Sequence, residues 1–116
     1  MKKLTVALSA GLFLSLSAHA ASHVGQCVFP KTKVGAGGRL VMTHPIYVFA
    51  GPSTSAPKHA LTSLAAFTIK ADAPGGLVQL VTVPDNDLPN PDSVAGKVIG
   101  WAKLSDFDFQ ELRNCN

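Results

Sequence analysis

Phe67-Thr68-Ile69-Lys70-Ala71-Asp72-Ala73-Pro74-Gly75-Gly76-Leu77-Val78-Gln79-Leu80-Val81-Thr82-Val83 is the stretch whose reading decides the fold. Two apolar, β-compatible runs, 67–71 and 77–83, flank Pro74-Gly75-Gly76. Proline fixes φ at about −65° and glycine reaches positive φ without penalty, so the three residues supply what a tight turn needs. The spacing predicts an antiparallel hairpin. Its second arm keeps only Gln79 and Thr82 polar. That is too apolar for a strand with one wet face, and it predicts a position in the middle of a sheet.

Outward from the hairpin the pattern repeats in shorter pieces. Proline and glycine recur often enough to limit helices and to favour short strands joined by turns. Residues 27–29 end at Pro30, and Gly35-Ala36-Gly37-Gly38 is a turn before the β-compatible run 39–42. His44-Pro45 biases the chain to extended geometry ahead of Ile46-Tyr47-Val48-Phe49. Residues 50–57 and 84–92 have loop composition, and 97–104 is the last clear strand. Beyond it, Ser105 and Asp108 have the spacing to cap a short helical turn over 107–113, which we favour, although Phe107 and Phe109 alternate as a strand would. The expectation is an all-β fold, a small barrel of about five to six strands with a short N-terminal extension, since closure removes exposed sheet edges.

The chain has 116 residues, 47% hydrophobic and 15% charged. This fits one domain and excludes intrinsic disorder. Part of the apolar content is not fold. Lys2 and Lys3, an apolar run over 4–16 and Ala18-His19-Ala20 have the order of a secretory signal peptide. The expectation is a leader over 1–20, cleavage between Ala20 and Ala21, and a periplasmic or secreted domain over 21–116. No run is long enough to predict a membrane-spanning helix. Ten basic residues less Lys2 and Lys3 leave eight against seven acids, so the net charge falls from +3 to +1. The cations are scattered and form no basic stripe with interleaved aromatics, which argues against a nucleic-acid partner.

Cys27 and Cys115 both lie beyond the expected cleavage site. In an oxidising compartment two cysteines predict one disulfide, clasping the two ends of the domain. Neither a CxxC nor a metal-ligand spacing accompanies them. Val24-Gly25-Gln26-Cys27 falls short of a lipoprotein box, because Gln26 stands where a small residue belongs.

Candidate chemistry is sparse. No Gly-x-Ser-x-Gly elbow presents a nucleophile, and His23, His44 and His59 lack metal spacing and a catalytic context. Asp85-Asn86-Asp87 with Asn90 and Asp92 offers oxygen ligands for calcium, but three prolines stiffen the segment and no closing Glu follows. The expectation is a non-enzyme without cofactor or metal. Tyr47 and Trp101 combine an aromatic body with a polar handle, the type favoured at interfaces. Trp101 fits a core role equally well. Tyr47, alternating with Ile46 and Val48, faces away from them and is the better surface candidate.

Along 46–107 stand, in order, Ile46-Tyr47-Val48-Phe49, Gly51-Pro52-Ser53-Thr54, the run 61–69, the run 77–83, and Gly100-Trp101-Ala102-Lys103-Leu104. In that order and spacing they resemble the bacterial SH3-like domain family. Phe49 stands where that family carries Arg, the 84–96 loop is longer, and the 27–41 extension and the terminal cysteines are additions. The resemblance implies a five- to six-stranded barrel that binds without catalysis. The expected ligand is an envelope protein, a peptide or peptidoglycan, held near Tyr47, Phe49, Pro52 and Trp101. The alternative is a periplasmic inhibitor or immunity protein that blocks a cell-wall-active or other envelope enzyme through the 84–96 loop.

Overall fold

Strand pairing is built around the 67–83 hairpin. The computed structural model describes residues 22–110 and Cys115, so the leader expected over 1–20 lies outside the described residues. The strands are β1 (Cys27–Pro30), β2 (Thr32–Val34), β3 (Leu40–Met42), β4 (Tyr47–Phe49), β5 (Lys58–Ala60), β6 (Phe67–Ala73), β7 (Leu77–Thr82), β8 (Val98–Lys103) and β9 (Phe107–Phe109). Gly75 and Gly76 close the β6–β7 turn at φ 84° and 77°. An irregularity between Ile69 and Ala71 shifts the register once along the pair, as a bulge does.

Seven strands form one antiparallel sheet in the order β5-β4-β8-β7-β6-β1-β9, and β2 and β3 pair separately as a hairpin. The strand expected to be central is central: β7 has three strands on either side. The main core cluster lies on one face, where Val28, Phe67, Ile69, Val78, Leu80, Ala102 and Phe107 gather with Ile46, while Phe49, Leu77 and Val81 are buried on the other. Burying one aliphatic side chain such as Ile69 or Leu80 contributes about 1.5–3 kcal/mol. Met42 of β3 packs against this cluster and plants the small hairpin on it.

Three expectations are corrected. The sheet is not a closed barrel: β5 and β9 are its two ends and are not paired with each other. Edges are blunted instead of closed, because both end strands are only three residues long, Pro57 precedes β5, and Lys58 and Asp108 lie on them. The strand count also exceeds the expected five to six, because β2, β5 and β9 are too short to show a periodic pattern. Finally, 107–109 is a strand and not a helical turn. A 3-10 turn over Leu104–Asp106 comes one step earlier and hands Phe107 to β1, where it pairs with Pro30 and is buried. Residues 111–113 of the expected turn lie outside the described residues.

The expected disulfide is present. Cys27 of β1 is bonded to Cys115 with their Cα atoms 5.8 Å apart, closing a separation of 88 residues. Among the described residues no helix is long and apolar enough to cross a membrane.

Candidate aromatic binding face

The face opposite the core is set by β-strand alternation. On β4, Val48 points to the core and is fully buried, as is Ile46 just before the strand. Tyr47 and Phe49 therefore share the other face. Phe49 pairs directly with Trp101 of β8 on one side and with Lys58 of β5 on the other. Trp101 in turn pairs with Gln79 of β7. Directly opposed residues share a face, so Lys58, Phe49, Trp101 and Gln79 form a row across four neighbouring strands.

Exposure divides this row into a surface and a support. Tyr47 is 40% exposed, Trp101 is half-buried, and Phe49 is only 5% exposed. The three aromatics thus share one face, but Phe49 has almost no surface to offer a ligand. Flanked by Lys58 and Trp101, it supports the face from within. Lys58 Nζ lies 4.4 Å from the centroid of the Tyr47 ring. An exposed cation–π contact of this kind is worth about 0.5–1 kcal/mol. Sequence reasoning missed Lys58, because β5 is recruited by the β4 ladder and carries no strand pattern of its own.

Pro52 is exposed in the 50–57 loop. Ala50 N–H donates to the Pro57 carbonyl at 2.8 Å, closing the loop at its base. Within it, Ser53 N–H donates to the Gly51 carbonyl at 2.8 Å, and the Ser53 and Ser55 hydroxyls are 2.8 Å apart. Because β4 runs antiparallel to β8, this loop leaves the sheet at the end where the chain between β7 and β8 also turns. That second loop is braced as well. Asp85 N–H donates to the Pro91 carbonyl at 3.0 Å, and Lys97 N–H donates to Thr82 Oγ1 at 2.9 Å. The Thr82 hydroxyl in turn donates to the Val94 carbonyl. Leu88 is exposed on this loop.

The polar groups elsewhere act as ties. Ser22, His23 and Asp72 meet beside an open cavity of about 330 Å³ that Leu77, Val78 and Leu104 also line. They have the composition of a hydrolase triad but not its connectivity. Ser22 Oγ donates to Asp72 Oδ2 at 3.0 Å, while His23 Nδ1 lies 3.0 Å from Asp72 Oδ1. A triad needs its serine bonded to the histidine. The His23 backbone N–H, donating to Asp72 Oδ2, and then its ring hold the Asp72 carboxyl below its ordinary pKa. The His23 ring also stacks on Phe109, with centroids 5.7 Å apart. His44 Nε2 lies 2.7 Å from Asp106 Oδ1, tying the approach to β4 to the turn before β9. No group of three or more His, Cys, Asp or Glu side chains converges as a metal site among the described residues.

No protein-family model, curated protein or solved structure matches the chain.

Proposed function

We propose that this chain is a non-catalytic binding module of the cell envelope, exported and cleaved near Ala20-Ala21. It takes a protein, a peptide or a cell-wall ligand on the face that carries Tyr47 and Trp101. The observation that carries this reading is the Lys58-Phe49-Trp101-Gln79 row with Tyr47 exposed beside it. Aromatic rings held on paired strands lose little freedom on binding, which favours recognition. Lys58 over Tyr47 adds a cation to the patch and suits it to aromatic and acidic peptide groups. The order of the motifs 46–49, 51–54, 77–83 and 100–104 keeps the SH3-like resemblance as part of this proposal.

A second reading, a periplasmic inhibitor or immunity protein, draws on the 84–96 loop. That loop is internally hydrogen-bonded and exposes Leu88, as a plug that enters an enzyme cleft would. Affinity capture from cell-envelope extract with the tagged protein, alongside sedimentation with purified peptidoglycan, separates the two. A binding module of the cell wall sediments with the polymer. An inhibitor co-purifies with one enzyme and loses it when the 84–96 loop is changed. Failure of both captures overturns the binding reading.

A further inference from the structure

The β2–β3 hairpin stands apart from the seven-stranded sheet and exposes apolar side chains on both of its faces. Val34 and Leu40 are register partners and are 71% and 55% exposed. They continue outward the face that Met42 plants on the core, because Thr32 and Met42 pair on the same side two residues earlier. On the opposite face Val41 is 39% exposed and pairs with Lys33. The turn between them contains only glycine and alanine, with Arg39 at its end. Its backbone is bonded internally, Gly35 N–H to the Arg39 carbonyl at 2.6 Å and Gly38 N–H to the Gly35 carbonyl at 3.2 Å. Such a tip loses fewer hydrogen bonds on leaving water.

Charge narrows the occupant. No acidic residue precedes Asp72, so Lys33 and Arg39 sit on the tip without a carboxylate on their own hairpin. A flat protein surface would cover only one face of the hairpin. The tip also lacks the aromatic residues that anchor protein interfaces. Aliphatic residues on both faces, with long cationic side chains among them, match an anionic lipid interface, where methyl groups enter the acyl boundary and cations reach back to headgroups.

We propose that the β2–β3 hairpin is a membrane-surface anchor that seats Val34, Leu40 and Val41 in the interface of an anionic bilayer, with Lys33 and Arg39 on the phosphates. This surface is separate from the Tyr47 face and does not rest on the binding reading given above. Near an anionic surface each cation strengthens binding by about fivefold, and salt screens the effect.

The test uses the full chain with its disulfide and vesicles of phosphatidylglycerol with phosphatidylethanolamine. In Leu40→Trp the new indole should shift to the blue on adding vesicles and be quenched by brominated acyl chains beyond the quenching of Trp101 in the parent protein. Any lipid contact made by another segment is common to both proteins, so the difference reports the hairpin. Lys33→Glu with Arg39→Glu should weaken binding by at least about thirtyfold, as should Val34→Asp with Leu40→Asp, and phosphatidylcholine vesicles should bind poorly. These side chains are exposed, so melting temperatures should stay close to the parent's. Equal quenching in the parent and Leu40→Trp, or charge reversal without effect, overturns the proposal. So does capture of one envelope protein that Val34→Asp with Leu40→Asp abolishes while vesicle binding is absent.

Discussion

Gly100 of β8 passes so close to Val48 of β4 that a Cβ at this glycine would stand 2.6 Å from Val48 Cγ1 and 2.7 Å from the Phe49 carbonyl oxygen. Its φ of 133° is a second reason that only glycine fits. The close approach lets the next residue, Trp101, pair with Phe49 and fixes the aromatic face. Gly100→Ala should therefore destabilise the domain by roughly 2–4 kcal/mol, combining overpacking with backbone strain. Urea unfolding of the two proteins measures it; an unchanged midpoint would show that β4 and β8 separate freely.

The Cys27–Cys115 bond ties β1 to the far end of the chain across 88 residues. Removing it with Cys27→Ala and Cys115→Ala should lower stability by about 2–4 kcal/mol, since a long loop is freed in the unfolded state. Intact mass should rise by two hydrogens on reduction of the parent protein. A parent protein with free thiols would contradict the clasp.

The parts of this fold that were legible in the sequence are those with long patterns. The apolar run of β7 announced its central position because both of its faces are covered, and Pro74-Gly75-Gly76 announced the turn beside it. Tyr47 was placed on the surface by alternation alone. The illegible parts are three-residue strands that exist through their neighbours. Lys58, His59 and Ala60 are all exposed and form a strand only because β4 offers a ladder. Alternation puts Phe49 on the same face as Tyr47 but does not show the Lys58 and Trp101 that flank it there, where it is buried. Phe107 became a strand residue because Pro30 was there to pair with it, a partner 77 positions away in the chain.

Acid should loosen the N-terminal segment. The Asp72 carboxyl accepts from the His23 backbone N–H, from the His23 ring and from Ser22, and its pKa is lowered from the ordinary 3.8. A carboxyl with a depressed folded pKa contributes stability that is present above its unfolded pKa and is lost as pH falls through the folded one. Asp72→Asn should thus be less stable than the parent at pH 5, and the gap should close as pH drops below about 3.8. Urea midpoints taken between pH 2 and about 6 follow it. A gap that stays constant across that range would mean that the carboxylate charge has no part in holding Ser22 and His23.

The binding face yields the last prediction. Tyr47 is exposed with Lys58 over its ring, while Phe49 beneath is buried, so the two aromatics of one strand face should separate by function. Tyr47→Ala should weaken capture of the envelope ligand by about 1–3 kcal/mol, and should cost little stability because Tyr47 is 40% exposed. Phe49→Ala should instead destabilise the domain by about 3–5 kcal/mol, the range for a buried aromatic, before any effect on binding is read. Lys58→Ala should weaken binding less than Tyr47→Ala, since it removes the cation but leaves the ring. Calorimetric titration of the captured ligand, with melting curves for each variant, tests the order. If Tyr47→Ala binds as the parent does and changes in the 84–96 loop abolish binding, recognition belongs to that loop and the inhibitor reading replaces the binding-module one.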